Sequence, residues 1–456
     1  MRKWSQVLVY APFVALIDIL FVQLSFVATF YLKWARLGMA VPDLGAYLHV
    51  VPYISAGSVG ILHVCNMYVG WLRRRMTHTV YSMMVGSAGI TLFAMGMELW
   101  ERQFSIPKSL IAEVGVLQIV FLVAYRVALQ NWYLSGIGRR RVMVITPDEE
   151  TAIRTMCKLQ DSGPEWMSVT GYVLTSELER LEEEAAQFDS VLLTPMMPEQ
   201  RIIVKRCTRM KKHVMVIPAV QELSLFGSRP LEVDDVLILS AQRPNLKPGP
   251  RLVKRCLDVL VSAAVLVVAS PVLAAVAVAI RRSSEGPAIF KQDRVGQDGE
   301  EYTLYKFRTM VADAEKHTGP VLASESDSRI TPLGRWLRAT RLDELPQLFN
   351  VLKGDMSLVG PRPERAFFVE QFRETVVGYD LRFSVKPGVT GLAQVAGGYS
   401  TTVERKLRFD LMYIFNYSLL LDIQILLRTL LVMIEKTQAE GVSEPIRSTV
   451  LVGDDE

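Results

Sequence analysis

Three arginines at three-residue spacing, Arg335, Arg338 and Arg341, lead to two adjacent carboxylates, Asp343 and Glu344, followed by Leu345-Pro346. The pattern predicts a helix over Leu333–Leu342 with the arginines on one slowly drifting stripe. Adjacent carboxylates on a helix point about 100° apart. One can then face a reacting phosphorus while its neighbour holds a metal. Upstream, Phe290-Lys-Gln-Asp-Arg294 leads through the turn-forming Asp298-Gly299 into Tyr302-Thr-Leu-Tyr-Lys306-Phe307-Arg308, a predicted hairpin with Lys306 and Arg308 outward. Downstream, Pro361-Arg362-Pro363 offers rigid apolar rings and a planar cation suited to a nucleobase and a phosphate. Cations that neutralise a diphosphate, beside carboxylates that bind Mg²⁺ or attack, are what phosphoryl transfer requires. An Asp-Glu pair capping a solvated helix has the same spacing, so these residues alone do not decide.

The elements that position them include membrane segments. Half of the 456 residues are hydrophobic, 21% are charged and mean hydropathy is positive. That excludes a disordered chain and fits a simple soluble domain poorly. Four apolar stretches, Val7–Leu32, Ala46–Leu72, Thr79–Trp100 and Ser109–Leu134, each reach the ~30 Å of a bilayer core at ~1.5 Å per residue. Arg2, Lys3, Arg73–Arg75 and Arg139–Arg141 fall on one side, against Lys33/Arg36 and Arg102/Lys108 on the other, which places both ends of the unit in the cytoplasm. Asp18, Glu113 and Arg126 lie inside spans, marking either a polar site or pairing between helices. Residues 1–140 carry 12 Lys/Arg and 5 Asp/Glu, the remainder 39 and 42. The overall excess, 51 against 47, is too slight to argue for a nucleic-acid partner. Four scattered cysteines without CxxC spacing and five histidines indicate neither a disulfide framework nor a His- or Cys-ligated metal.

From Arg141, short apolar runs alternate with helix-like segments: Val142–Thr146, Val169–Leu174, Ser190–Thr194 and Val214–Pro218 read as strands of a parallel, Rossmann-like α/β domain over 139–243. It lacks the Gly-rich turn of a dinucleotide site, because the first strand runs into Thr146-Pro147-Asp148. Residues 244–253 read as a linker. The apolar run over 254–282 is long enough to cross, yet Pro271 interrupts it beside Ser270 and both flanks are basic. A re-entrant helix, bent at Ser270-Pro271, accounts for both features; a kinked fifth span is the alternative. Residues 283–456 follow as a catalytic α/β domain after a four-helix unit over 1–138. The apolar Ser418–Ile434, with Asp422, Gln424 and Arg428, reads as a core or interfacial helix.

Four segments together resemble the bacterial sugar transferase family, the polyprenyl-phosphate hexose-1-phosphate transferases. They are Lys254-Arg255-x-x-Asp258 with Ser270-Pro271; Gly286-Pro287 through Met310; Leu342-Asp343-Glu344-Leu345-Pro346-Gln347-Leu348 with Asn350 through Pro363; and Lys386-Pro-Gly-Val-Thr-Gly391. The resemblance spans about Leu252 to Ile434. Four spans, a Rossmann-like domain and this module are also the layout of the large members, which prime capsule, exopolysaccharide and O-antigen synthesis.

The resemblance implies a reaction on the cytoplasmic face of the bacterial inner membrane: UDP-hexose, with glucose or galactose expected, plus undecaprenyl phosphate gives the lipid diphosphate sugar and UMP. By analogy Asp343 is the nucleophile that forms a covalent phosphosugar intermediate. Glu344 supports a Mg²⁺ site with Asp343, and Asp410 in Arg408-Phe-Asp-Leu matches a family acidic position at the metal. Arg294, Lys306, Arg308, Arg338, Arg341 and Pro361-Arg362-Pro363 are the expected donor-binding residues, and Lys254 and Arg255 are expected on the lipid-phosphate side. After the Lys-Pro-Gly turn many relatives carry Trp, Gln-Val and Gly-Arg, whereas here the stretch is Leu392-Ala-Gln-Val-Ala-Gly-Gly-Tyr399, which leaves the hexose open. Two other classes compete. A membrane-bound nucleotide-sugar dehydratase matches Tyr302-x-x-x-Lys306 but needs the missing NAD loop, and a non-catalytic assembly scaffold would tolerate loss of both carboxylates. Homodimer formation or regulation is left for the four-helix unit and the Rossmann-like domain.

Overall fold

The computed structural model describes residues 2–37, 44–68, 71, 76–100, 108–137, 139–162, 166–195, 197–225, 229–233, 236–240, 248–283, 285–311, 327, 329–396 and 402–434. Two compact units divide at Ile217/Pro218. In the first, the apolar stretches form α1 (Arg2–Leu37), α2 (Leu44–Val64), α3 (Met76–Trp100) and α4 (Lys108–Ile137), each long and apolar enough to cross a membrane. Val22, Phe26, Ile54, Ile90 and Leu122 share one core, while Leu20, Leu92 and Val116 stay exposed. Apolar side chains both inside and outside the bundle are the pattern of helices solvated by lipid. Helix α2 stops at Val64 instead of reaching Leu72, because Asn66 adopts φ 62° and the chain reverses. Met67, Tyr68 and Trp71 are apolar there because they bury in the bundle.

The charges inside the spans pair between helices. Asp18 Oδ2 meets Arg126 Nη2 at 2.6 Å with both side chains fully buried, and Lys33 meets Glu113 at 2.8 Å. Arg126 also donates to the Met67 carbonyl and lies over the Trp71 ring. Arg73–Arg75 and Arg102, on which the orientation argument rests in part, lie outside the described residues.

The same unit holds β1 (Arg140–Thr146), α5 (Glu149–Ser162), β2 (Met167–Leu174), α6 (Leu181–Ala185), β3 (Ser190–Leu193), α7 (Gln200–Arg209) and β4 (His213–Val216). The four strands form the expected parallel sheet, in order β2-β1-β3-β4. At the end of β1, Asp148 Oδ1 accepts a hydrogen bond from the Thr151 amide at 2.7 Å. A carboxylate thus occupies the helix N-terminus that a dinucleotide's pyrophosphate would need.

The sheet ends at β4, so the α/β region is shorter than the expected 139–243. Helix α8 (Val220–Leu225) belongs to the second unit, with Leu223 in its core, because Val220 and Leu223 share one apolar face. A hairpin not read from the sequence follows, β5 (Arg229–Val233) with β6 (Val236–Ser240).

Helix α9 (Pro248–Ser283) begins inside the expected linker, of which 244–247 lie outside the described residues. Proline is favoured in a first helical turn, where its missing N–H costs nothing. The helix runs unbroken through Pro271. Pro271 cannot donate to the carbonyl of Val267, and Ser270 Oγ donates to that same oxygen at 2.7 Å. By length and composition α9 is the fifth helix among the described residues able to cross a membrane. Both sides of Pro271 pack on the second unit. Asp258 and Leu266 are buried on one side. Val276 and Ile280 on the other enter a cluster with Ala288, Phe307 and Leu337. Between them Val267 and Val268 are 73% and 81% exposed.

The remaining elements of the second unit run β7 (Ile289–Val295), β8 (Glu301–Phe307), α10 (Pro332–Ala339), α11 (Gln347–Lys353), β9 (Ser357–Val359), α12 (Ala366–Thr375), β10 (Gly388–Thr390), α13 (Leu392–Ala396), α14 (Val403–Phe415) and α15 (Leu419–Ile434). Strands β7 and β8 form the predicted antiparallel hairpin, with Asp298 and Gly299 at positive φ in its turn. Strands β9 and β10 pair in parallel, and just beyond β9 the backbones nearly touch. A Cβ on Gly388 would lie 2.1 Å from the Gly360 amide nitrogen. Helix α15 buries Ile425 and Asp422 in the second unit.

Candidate functional site

The carboxylate pair sits on a 3₁₀ turn and not on the helix. Helix α10 starts at the cap Thr331, whose Oγ1 accepts from the Gly334 amide, and ends at Ala339. Arg341 then takes a left-handed conformation, φ 55°, and Leu342–Glu344 form the turn. Three residues per turn put neighbouring side chains about 120° apart, and the two carboxylates enter different surroundings. Asp343 is buried, and its Oδ1 has no hydrogen-bond partner among the described residues. Glu344 Oε1 accepts from Lys306 Nζ at 3.2 Å and from Arg362 Nη2 at 3.0 Å.

These surroundings separate the two acids. Burial, and then the charge of Glu344, push the Asp343 carboxyl up to about 6, against the pull of Lys306, Arg338 and Arg341. Burial also opposes ionisation of Glu344, but Arg362, Lys306 and Arg341 together outweigh it and hold that carboxyl well below the usual range. Burial lowers the Lys306 ammonium, which Glu344 partly restores, while Glu344 raises the Arg362 guanidinium. Paired acids driven apart by environment are the signature of divided roles.

The hairpin is fixed to this turn by Asn350 on α11, which the sequence reading quoted only within a motif. Its fully buried amide accepts from the Tyr305 N–H at 3.1 Å and donates to the Thr303 carbonyl at 2.8 Å, setting the strand that carries Lys306. Arg338 Nε donates to Thr309 Oγ1 at 2.9 Å, tying α10 to the end of β8. Helix α10 approaches that strand so closely that a Cβ on Gly334 would fall 2.0 Å from the Thr309 carbonyl oxygen.

Several expected residues are placed differently. Arg308 lies one residue past β8 and is buried, not outward; a Cβ on Gly286 would come within 2.5 Å of its Nη1. Arg294 is engaged with the loop after β9, donating to the Pro363 carbonyl at 3.1 Å and to Gln292, near Glu364 at 3.7 Å. Its role there is to hold Pro361-Arg362-Pro363. Arg341 is exposed beside the acid pair.

Lys254 and Arg255, expected on the lipid-phosphate side, are committed to protein groups. Lys254 Nζ pairs with Asp422 at 2.7 Å and donates to the Val359 carbonyl; Arg255 donates to the Val351 and Leu352 carbonyls at the C-terminus of α11. Asp258 Oδ1 accepts from the Leu358 amide. The Lys-Arg-x-x-Asp motif therefore fastens α9 to β9, α11 and α15. A cation at a helix C-terminus meets the orphan carbonyls and the negative end of the dipole.

Asp410 does not join the acid pair. It is buried on α14 against Arg382 at 3.0 Å, and among the described residues no group of three or more His, Cys, Asp or Glu is arranged to hold a metal. Asp343 and Glu344 by themselves suit Mg²⁺, which typically takes one or two carboxylates and completes its shell with substrate phosphates and water. The unpartnered Asp343 Oδ1 is an available ligand of that kind. Gly397, Gly398 and Tyr399 lie outside the described residues.

Residues 249–436 match the family model described as bacterial sugar transferase. Among curated relatives, the UDP-glucose:undecaprenyl-phosphate glucose-1-phosphate transferase of Klebsiella pneumoniae is 39% identical over 232 residues, 50% of this chain and 50% of that protein. A protein of the same name from Caulobacter vibrioides is 42% identical over 204 residues, 42% of this chain and 75% of the relative. The UDP-N-acetylgalactosamine-undecaprenyl-phosphate N-acetylgalactosaminephosphotransferase of Aeromonas hydrophila is 43% identical over 194 residues, 41% of this chain and 46% of that protein. The chain spans about half the length of the first relatives it matches. The buried acid pair, its cations and the fastening motif all fall inside the matched stretch, and three quarters of the Caulobacter relative is covered by it. The chain is a member of the bacterial sugar transferase family.

Proposed function

We propose that this protein transfers a hexose-1-phosphate from a UDP-hexose to undecaprenyl phosphate and releases UMP. The observation that carries the reading is a buried, unpartnered Asp343 oxygen beside a Glu344 held ionised by Lys306 and Arg362. The names of the relatives supply the substrate classes, with glucose, galactose and N-acetylgalactosamine as donors to compare.

In the proposed course the Asp343 carboxylate attacks the β-phosphorus of the donor. The bond from that phosphorus to the bridging oxygen breaks, the electron pair leaves with UMP, and an aspartyl phosphosugar remains. An oxygen of undecaprenyl phosphate then attacks the same phosphorus and restores Asp343. Lys306, Arg338 and Arg362 offset charge on the donor phosphates. Mg²⁺ held by Asp343 and Glu344 would add charge neutralisation when bound. Such a site requires a soluble nucleotide and a lipid phosphate to meet, which favours a re-entrant α9. Residues on both sides of Pro271 pack on the same unit, and the exposed Val267 and Val268 between them offer an apolar surface to lipid. The reaction would then lie on the cytoplasmic face of the inner membrane, in capsule, exopolysaccharide or O-antigen priming.

Purified protein given undecaprenyl phosphate, Mg²⁺ and a panel of UDP-hexoses should release UMP with at least one donor. Release of UDP, or full activity in Asp343→Asn, would overturn the mechanism.

A further inference from the structure

The loop carrying Arg362 is gripped by its carbonyls. Two of its residues are prolines and have no N–H to offer, and four successive carbonyl oxygens each accept from elsewhere. Pro361 O takes the Gly388 amide at 2.9 Å, Arg362 O takes Arg382 Nη2 at 2.8 Å, Pro363 O takes Arg294 Nη1 at 3.1 Å, and Glu364 O takes the Val295 amide at 2.9 Å. Only the second contact is made at Arg362 itself. Arg382 can make it because its guanidinium is oriented within the core: Nη2 also meets Asp410 Oδ2 at 3.0 Å, and Nη1 donates to the Tyr379 hydroxyl. Asp410, Arg382 and Tyr379 are 3%, 6% and 2% exposed, so each is held on all sides and a small displacement of one passes to the others. A planar guanidinium bonded on two edges has little freedom to turn.

We propose that Asp410 is a positioning residue, acting through Arg382 on the backbone of Arg362, and is not a ligand of the metal. This rests on the proposed transferase reading only in supposing that Arg362 faces the donor. From the far end of the chain of contacts, Asp410 fixes where the Arg362 guanidinium stands, and with it the hydrogen bond to Glu344.

The test compares Asp410→Asn, which keeps the volume, with Arg382→Lys, which keeps the charge but loses the fork. In full-length protein in nanodiscs, amide exchange of peptide 360–366 should quicken by at least about 5-fold in both variants, with the β8 peptide 301–307, which makes none of the four loop contacts, unchanged. In the UMP assay both should raise the donor KM by roughly 5–20-fold and leave the Mg²⁺ concentration for half-maximal rate where it is. Once Arg362 is replaced by Ala, adding Asp410→Asn should change little further. Unchanged exchange at 360–366 in both variants overturns the proposal, whatever the activity. So does a raised Mg²⁺ requirement in Asp410→Asn that Arg382→Lys does not share. A wild type that releases no UMP would instead sink the transferase reading, and the exchange measurement would still decide this one.

Discussion

Glu344 and Arg362, 18 residues apart in the chain, meet at 3.0 Å, and Lys306 reaches the same Glu344 oxygen from the hairpin. Two cations on one carboxylate oxygen keep Glu344 ionised. The burial of Asp343 itself, and then the charge of Glu344, leave Asp343, the next residue back, as the acid that titrates late.

The rate should follow that titration. Since the attacking form is the carboxylate, UMP release should rise with pH through about 6 and level off above it. Because a bound cation favours the carboxylate, the rise should move to lower pH as Mg²⁺ is increased, and a profile flat from pH 5 to 8 at limiting Mg²⁺ would contradict this assignment.

Stability should move the opposite way. A carboxyl whose folded pKa is raised binds more protons folded than unfolded, so its contribution falls as pH climbs from about 4 to about 6. Asp343→Asn removes that cost. It should melt above wild type at pH 7.5, by roughly 1–3 kcal/mol, and lose the advantage near pH 4. Activity should drop by at least about 10³-fold. Melting curves at the two pH values check the sign.

Lys306→Met and Glu344→Gln should each reduce kcat/KM by about 10²–10³-fold, because the first leaves Glu344 with Arg362 alone and the second leaves Lys306 and Arg362 without their shared carboxylate in a water-poor site. The double variant should fall far short of the product of the two losses. Multiplicative losses would mean the two groups act independently.

The proposed re-entrant path of α9 can be read by topology. With the four native cysteines replaced, Ser283→Cys should resist an impermeant thiol reagent in intact cells and react after lysis. Reaction in intact cells would establish α9 as a fifth span.

The Asp18–Arg126 pair makes a separate claim about the bundle. Asp18→Asn or Arg126→Met should cost about 3–5 kcal/mol, whereas Asp18→Leu with Arg126→Met should recover most of it. Thermal inactivation half-lives of the three variants provide the comparison.

Much of this was legible in one dimension. The spans, the β1–β4 alternation and the Asp298-Gly299 turn are local patterns of burial and backbone preference, and apart from the end of α2 each appears within a few residues of where it was expected. The reading failed where an apolar or charged residue has its reason elsewhere in the fold. Met67, Tyr68 and Trp71 look helical but bury after a reversal at Asn66. Lys254 and Arg255 look like headgroup cations, yet they hold Asp422 and the end of α11.

The sequence by itself determined that this chain has membrane-spanning length, a parallel α/β region and an acid pair among cations, since periodicity, hydropathy and local charge are properties of neighbours along the chain. It also carried the motifs by which its family is known. Only the tertiary structure decided what each charge does. Asp343 Oδ1 has no hydrogen-bond partner among the described residues while Glu344 has two cations, Asp410 turns to Arg382, and Asn350 sets the strand of Lys306. Those outcomes depend on which buried polar groups meet across tens of residues, and burial makes each partnership worth far more than spacing can reveal.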